Sequence, residues 1–311
     1  DSEDEGVFTV SCAGGNVTRC VLPVDRAPFA GGGVSLTVGG LQGGHSGTEI
    51  HRGRGNADLL LGRLLRAAAK VTAMRLYTVS GGLKDNAIPT QASALLAAED
   101  PAAAMEAAGA LAESLQEEYR VTDPGLWVKA EPWMPEGEPM DGPSTQKVLC
   151  MLTCLPNGVQ EMSADIPGLV QTSLNLGILR TGAGEVEATF CVRSSVDSQK
   201  EMLKDRLTCL MEQLGGRTQF SGDYPGWAYR HDSPLRDRMT EVFRAQYGRE
   251  PKVEAIHAGL ECGLLAGKLP GLDCVSIGPD LLEIHTPRER MSISSVQRVW
   301  RFVLELLRQW R

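Results

Sequence analysis

The segment LQGGHSGTEIHRGRGNA places His45, Glu49 and His51 in one glycine-rich stretch of the chain. All three are metal-ligand types, but the order H-x3-E-x-H matches no usual zinc pattern, and the glycines disfavour a helix that would present the ligands together. A second interpretation is that the glycines aim a ring N–H of His45 at a developing oxyanion, with Asn86 of the segment DNAIP assisting. The third is turn chemistry, in which glycine and asparagine supply positive φ. The residues alone favour the turn and make the metal site the weakest of the three.

Two further candidates follow apolar strands in the C-terminal third of the chain, His285 in EIHTP and Glu261 in HAGLECG. Loops at the carboxyl ends of strands in open α/β sheets bind ligands, so His285, beside Glu283, is either a zinc ligand or an exposed loop residue. Glu261 would begin a helix, where it either caps that helix or faces a cationic group in a cleft. The sequence does not choose between these alternatives.

Composition and the absence of several motifs exclude other classes of function. The net charge of -8 argues against nucleic acid as a partner, since binding to phosphates needs a concentrated basic surface. No nucleophile elbow, P-loop or dinucleotide-binding glycine motif is present. No apolar run approaches the roughly 20 residues that span a bilayer, and no signal peptide is evident. The eight scattered cysteines indicate free thiols in a reducing compartment.

Hydrophobic periodicity predicts how the chain is organised. Residues 31–132 have the element order β-α-β-β-α-β, which is the ferredoxin-like order, and a similar order follows over residues 143–222 without a sequence repeat. We therefore predict a doubled two-layer α+β module over residues 31–225. After residue 226, helices alternate with apolar strands, among them a strand at 273–279, which predicts part of an α/β domain. Residues 1–30 would be another segment of that domain.

Five motifs together resemble those of aminoacyl-histidine dipeptidases, which are Xaa-His or β-alanyl-histidine dipeptidases (bacterial carnosinases) of the dizinc peptidase family M20. The motifs are GLQGGHSGTEIHRGRGNA, DNAIP, NLGILRTGAGEVEATFCVRSSVDS, AIHAGLECGLL and VSIGP…HTP, and they run through essentially the whole chain. The resemblance implies an α/β catalytic domain with an inserted, enlarged lid. It also implies hydrolysis of dipeptides with a C-terminal histidine at two zinc ions, with manganese or cobalt as alternatives.

The resemblance also assigns roles to individual side chains. Carried over by motif, the roles fall on the metal ligands Asp1 and His285, the carbonyl-polarising residues His45 and Asn86, the carboxylate-binding Arg193, and Glu261 near the substrate amine. In the family, a histidine-bearing HxD segment, a bridging aspartate and a Glu-Glu pair lie upstream of DSEDEG, where this sequence begins.

From this departure we expect the chain to be the lid plus the C-terminal catalytic segment, and to be inactive alone. The alternative is a catalytically degenerate homologue that acts as a binding or assembly module. Cysteine usage and the resemblance predict a cytoplasmic protein with no nucleic-acid or membrane partner. A doubled lid would let His45 act within its own chain, which leaves a homodimer open.

Overall fold

The structure is a computed structural model of the chain, and it describes residues 2–284 and 286–310. The strands in these residues are β1 (Val7–Cys12), β2 (Gly14–Pro23), β3 (Gly32–Gly39), β4 (Gly44–His45), β5 (Met74–Gly81), β6 (Ala87–Ile88), β7 (Ala92–Ala98), β8 (Trp127–Trp133), β9 (Gly158–Met162), β10 (Val170–Thr181), β11 (Glu185–Ser194), β12 (Arg217–Tyr224), β13 (Lys252–Ile256), β14 (Leu281–Leu282) and β15 (Arg290–Met291). The helices are α1 (Ala57–Val71), α2 (Pro101–Glu118), α3 (Gly142–Cys154), α4 (Asp197–Gln213), α5 (Pro234–Tyr247), α6 (Glu261–Lys268) and α7 (Ile293–Gln309). None of the helices in the described ranges is long and apolar enough to cross a membrane.

Local sequence explains why the helices begin where they do. In α1, the side chain of Asn56 accepts hydrogen bonds from the main-chain N–H groups of Asp58 and Leu59, at 3.1 and 3.3 Å. This cap satisfies two donors that have no partner within the helix. Leu60 and Leu64, one turn apart, are almost wholly buried against the sheet. The cap and the apolar stripe together define α1.

The largest sheet has nine strands in the order β12-β2-β11-β10-β5-β7-β3-β8, with β9 paired to β10. Every strand pair in this sheet is antiparallel. Buried side chains of α1 to α4 and of the sheet form one continuous apolar core. The result is a two-layer α+β body in which the sheet is the common platform.

This sheet contains two β-α-β-β-α-β modules with the same strand arrangement. In the inserted module, β3-α1-β5-β7-α2-β8, the first to fourth strands lie side by side in the order 4-1-3-2. The outer module, β2-α3-β10-β11-α4-β12, has the same 4-1-3-2 order, and the inserted module lies in sequence between β2 and α3. The modules meet where their second strands pair, at Gly81 and Leu179.

The sheet extends beyond the range predicted for the doubled module. Strand β2 lies between β11 and β12, although residues 1–30 were assigned to the other domain. Its partner strands begin at Glu185 and Arg217, so the pairing leaves no local signal in the sequence. The sheet therefore begins at residue 14 rather than at residue 31.

The remaining elements form a second, smaller core. Strand β1 pairs in parallel with β13, and Phe8 packs with Met239, Val242, Phe243 and Phe302 from α5 and α7. In this part of the molecule, helices after residue 226 pack on a parallel pair of strands, one of which comes from the start of the chain.

The strand predicted at 273–279 is reduced to one bridge, between Ser276 and Thr9. One reason is that the carboxylate of Asp273 binds the N-terminus of α5, through Ser233 Oγ at 2.7 Å and the main-chain N–H of Leu235 at 3.0 Å. Another is that Pro279, at the other end of the run, has no N–H to donate.

Candidate active site

Two short strands bring the GGHSG and DNAIP segments together. His45 in β4 pairs with Ala87 in β6, and the main-chain N–H of Ser46 donates to the carbonyl of Asn86 at 3.0 Å. The side-chain amide of Asn175, on β10, donates to the carbonyl of Ala87 at 2.9 Å and so fixes the pair to the sheet. His45 and Asn86, predicted from the sequence to act together, are therefore neighbours, and the Asn86 side chain is exposed.

The loop determines which ring nitrogen of His45 carries the proton. The main-chain N–H groups of Gly47 and Thr48 both point at Nδ1, at 3.2 and 3.1 Å. Because Nδ1 accepts these bonds, the hydrogen-bond network assigns the proton of the neutral ring to Nε2. Partial burial, and next the charge of Arg193, lower the pKa of His45 below its ordinary value. At neutral pH the half-buried ring is thus an uncharged Nε2–H donor.

Glu49 supports this loop. Its carboxylate accepts a hydrogen bond from the main-chain N–H of His45 at 2.9 Å and forms ion pairs with Arg52 at 3.0 Å and Arg54 at 3.3 Å. The hydrogen bond from His45, followed by the arginine charges, lowers the pKa of Glu49. Across residues 2–284 and 286–310, no three His, Cys, Asp or Glu side chains are arranged to hold a metal ion. The geometry therefore gives no support to a metal site at His45, Glu49 and His51.

Arg193 lies near the end of β11, opposite Ser173 on β10, and only 7% of its surface is exposed. One guanidinium nitrogen, Nη1, donates to the hydroxyl of Tyr224 at 3.2 Å, whereas Nε is buried without a hydrogen-bond partner. No ion pair to Arg193 forms within the described ranges. Burying a cation without a counter-charge is costly, so this position is suited to binding an anion.

Three segments converge on Gly47. A Cβ atom at this residue would lie 2.5 Å from the carbonyl oxygen of His257, 3.0 Å from Cε1 of His45 and 3.2 Å from Nε of Arg193. His257 follows β13 and is 5% exposed, and its Nε2 is 2.7 Å from Oγ of Ser173. Burial, followed by the charges of Arg193 and His45, lowers the pKa of His257 to about 3. The cluster thus combines a buried guanidinium with two histidines that are neutral at pH 7.

A cavity of about 420 Å³ opens beside this cluster, between the His45 loop, residues 166–170 and β13, and its walls include Gly47, His51 and His257. A larger cavity, of about 710 Å³, lies between α5 and α7 and contains none of these residues. We locate the candidate site by the convergence of buried polar groups, because orphaned donors and acceptors call for a ligand and cavity size alone does not.

The other predicted site residues lie outside this cluster or outside the described ranges. Glu261 is the exposed first residue of α6. It follows Gly259, where a Cβ atom would lie 2.8 Å from the ring of Tyr224, so α6 begins close to the Arg193 partner. The predicted metal ligands Asp1 and His285 both fall outside the residues that the structure describes.

Sequence reasoning missed three residues of the cluster, Ser173, Tyr224 and His257. The one available signal was the position of His257 directly after an apolar strand, in a motif that was singled out for Glu261 instead. Ser173 and Tyr224 lie in strands of ordinary composition, and their distance in sequence from Arg193 hides the contacts.

The chain is similar, in both sequence and fold, to known dipeptidases. No family model matches the chain. The sequence is 36% identical over 313 residues to the cytosol non-specific dipeptidase of Escherichia coli K12, covering 99% of this chain and 64% of that protein. The crystal structure of aminoacylhistidine dipeptidase from Vibrio alginolyticus matches with a TM-score of 0.93 and 34% identity, again over 99% of this chain and 64% of that one. These matches confirm the resemblance inferred from the motifs, and the chain spans about 64% of the length of both relatives.

Proposed function

We propose that the chain belongs with the aminoacyl-histidine dipeptidases of peptidase family M20 over the part of their length that it spans, and that it supplies the substrate-binding residues of a dipeptide hydrolase. The observation that carries this proposal is the buried guanidinium of Arg193, whose Nε has no partner, beside the Nε2–H donor of His45. A dipeptide offers a carboxylate and a peptide carbonyl to these two groups.

The spacing of the two groups suits one small substrate. Cε1 of His45 and Nε of Arg193 both lie within 3.2 Å of the position of a Cβ on Gly47. In a dipeptide, the C-terminal carboxylate is separated from the scissile carbonyl by one Cα and the peptide nitrogen. Arg193 binds the carboxylate, and His45, assisted by Asn86, donates to the carbonyl oxygen as negative charge develops on it. Because His45 and His257 are neutral at pH 7, Arg193 is the positive charge of this cluster that attracts the substrate carboxylate.

The family resemblance is the basis for expecting that catalysis depends on metal ions. We infer two zinc ions in a complete site, with manganese or cobalt as alternatives, and Asp1 and His285 among their ligands. Neither residue is described, and no set of three ligand side chains occurs in the remainder of the chain. What the described residues do in this proposal is bind, orient and polarise the substrate.

The finer assignments extend the same proposal. The nine-stranded sheet and its helices correspond to the lid, and the part built around β1, β13, α5 and α7 corresponds to the catalytic domain. We keep the predicted division into a catalytic segment at 1–30, a lid at 31–225 and a catalytic segment at 226–311, except that the sheet of the lid begins at residue 14. A C-terminal histidine in the substrate, a role for Glu261 at the substrate amine and a cytoplasmic location follow from the resemblance. Because both modules share one chain, His45 acts on substrate held by Arg193 of the same chain.

Calorimetric titration with β-alanyl-histidine and with its C-terminal amide tests the proposal. We expect the free acid to bind at least about tenfold more tightly, because a hydrogen bond to a charged group contributes about 1.5–3 kcal/mol. Arg193→Met should remove that preference. Equal binding of acid and amide by the unaltered chain would overturn the proposal.

A hydrolysis assay of the same chain with added zinc tests the separate expectation that it is inactive alone. Release of histidine from β-alanyl-histidine would contradict that expectation. Binding without hydrolysis would agree with it and would leave the substrate-binding role intact.

A further inference from the structure

The Arg193 side chain needs more support than the contacts of its own strand and of β12 provide. Within the described ranges, the hydrogen bond that fits its guanidinium best is to the Tyr224 hydroxyl at 3.2 Å, which is at the long end of the normal range. A long hydrogen bond to one nitrogen does not by itself fix the orientation of the guanidinium plane. A binding site for a carboxylate requires the guanidinium to be held in one orientation before the ligand arrives.

Ser173 and His257 are placed to provide that support. Ser173 is the residue opposite Arg193 in the β10–β11 register, so the two side chains lie on the same face of the sheet. His257 comes from the end of β13, in the other part of the molecule, and its Nε2 lies 2.7 Å from the hydroxyl of Ser173. Because Ser173 is the cross-strand neighbour of Arg193, this hydrogen bond places the imidazole on the same side of the sheet as the guanidinium and links the end of β13 to the sheet.

The hydrogen bond between Ser173 and His257 uses only one of the two ring nitrogens of the histidine. Whichever atom donates, Nδ1 of His257 is buried without a hydrogen-bond partner among the described residues, as is Nε of Arg193. Most buried polar groups in native proteins have a partner, because leaving one unsatisfied destabilises the fold. Here the unsatisfied atom occurs beside an unpaired buried cation, which is the signature of a site arranged for a ligand.

The charge state of His257 suits a supporting role. The groups that lower its pKa to about 3 are burial first, then the charges of Arg193, His45 and His51. The ring is therefore neutral at pH 7, where a second positive charge would repel the guanidinium or draw the carboxylate away from it. A neutral ring can pack against the guanidinium and hold it in place without competing for the anion.

We propose that Ser173 and His257 form a positioning pair that holds the guanidinium of Arg193 in the orientation that binds the C-terminal carboxylate of the substrate. This inference rests on the proposed function, because it assumes that Arg193 binds that carboxylate. In this proposal, His257 acts through Arg193 and does not touch the substrate itself. It comes from the end of β13, whereas the guanidinium that binds the carboxylate comes from the sheet.

The test is the ratio of the affinities of the 311-residue chain for β-alanyl-histidine and for its C-terminal amide, measured by calorimetry. Ser173→Ala and His257→Ala should each lower this ratio by up to about tenfold, since each breaks the hydrogen bond that holds the pair in place beside Arg193. The double variant should lose little more than either single variant, because both changes break the same bond. His257→Gln, whose amide reaches the position of Nε2, should recover most of the ratio.

Controls separate positioning from folding. His231→Ala removes an exposed histidine that pairs with Asp165 and should leave the ratio unchanged. A purely structural role for His257 would weaken the binding of acid and amide equally, and it would lower the unfolding midpoint without changing the ratio. Ser173→Ala removes a single oxygen, so it tests the pair even if His257→Ala does not fold.

Arg193→Met distinguishes the two proposals. If it abolishes the preference for the acid while Ser173→Ala and His257→Ala both retain the full preference, the positioning pair is overturned and the proposed function stands. If Arg193→Met retains the preference, both are overturned.

Discussion

Gly47 packs against the main-chain carbonyl of His257 so closely that a Cβ atom at residue 47 would lie 2.5 Å from that oxygen. Such a separation does not occur in folded proteins, and a main-chain carbonyl cannot swing aside as the end of a flexible side chain can. The contact holds the His45 loop against the end of β13. The absence of a side chain at Gly47 is thus a condition for the assembly of the site.

We predict that Gly47→Ala lowers the affinity for β-alanyl-histidine by about tenfold or more, because overpacking of this kind costs about 1–3 kcal/mol and the loop must move to relieve it. Calorimetry measures the effect. Gly184→Ala is a matched control, since a Cβ there meets nothing within 4 Å. Unchanged binding by Gly47→Ala would show that the loop and β13 separate when substrate binds.

His45 gives a second prediction, for a longer protein that contains this chain and hydrolyses β-alanyl-histidine with zinc. His45→Ala should lower kcat about 10²–10³-fold, the usual effect of removing one donor from an oxyanion site. The Nδ1 atom of the ring accepts two main-chain hydrogen bonds, and in the proposed role Nε2–H donates to the substrate carbonyl, so neither ring nitrogen ligates a metal. Zinc content, measured by elemental analysis, should therefore stay the same. Loss of zinc together with activity would show that His45 is a metal ligand instead.

How far the sequence predicts this molecule depends on how local the signals are. The cap at Asn56 and the leucine stripe of α1 lie within a few residues of one another, so the helix is predictable. The ferredoxin-like order of β3 to β8 is also contiguous and is predictable as an element order. Strand β2 is different, because the whole inserted module separates it from α3, the next element of the outer module.

The candidate site shows the same limit. The glycines around His45 predict a turn, and it is the family motifs that assign roles to His45 and Arg193. The support for Arg193 comes from Ser173, Tyr224 and His257, on three different strands or their ends. Side chains that meet only through the tertiary fold leave no spacing pattern in one sequence, so the contact between Ser173 and His257 could not be predicted.

Asp58 gives a prediction about the junction between the two modules. Its side chain is fully buried, and neither carboxylate oxygen has a hydrogen-bond partner among residues 2–284 and 286–310. It packs against Gly81, the residue through which β5 pairs with β10. Burial raises the pKa of Asp58 well above its ordinary value of 3.8. The folded state therefore binds this proton more tightly than the unfolded state does, and its contribution to stability is lost as the pH rises through the raised pKa.

We expect Asp58→Asn to unfold at a higher urea concentration than the unaltered chain at pH 8, with the advantage shrinking as the pH is lowered toward 4. The neutral amide keeps the shape of the side chain and removes the cost of a buried charge. Asp232→Asn, at an exposed position, controls for the change in net charge. A constant difference between Asp58→Asn and the unaltered chain across this pH range would contradict the assignment.

Glu5 and Arg298 give the opposite dependence on pH. The Glu5 side chain is 7% exposed, and it accepts a hydrogen bond from Nε of Arg298 on α7 at 2.7 Å. The hydrogen bonds from Arg298 lower the pKa of Glu5 from 4.5 to about 2. A lowered folded-state pKa means that the stabilisation is complete above the unfolded value of 4.5 and is lost as the pH falls toward 2.

Because Arg298 is 45% exposed, solvent screens part of this interaction. Glu5→Gln should therefore cost about 1–2 kcal/mol of unfolding free energy at pH 7, and the difference should shrink as the pH is lowered from 4.5 toward 2. Glu241→Gln breaks an ion pair with Arg238 whose partners are 61% and 46% exposed, and it should cost less than about 0.5 kcal/mol at any pH. If Glu5→Gln and Glu241→Gln were equally stable at pH 7, the ion pair between Glu5 and Arg298 would not stabilise the packing of the N-terminal segment on α7.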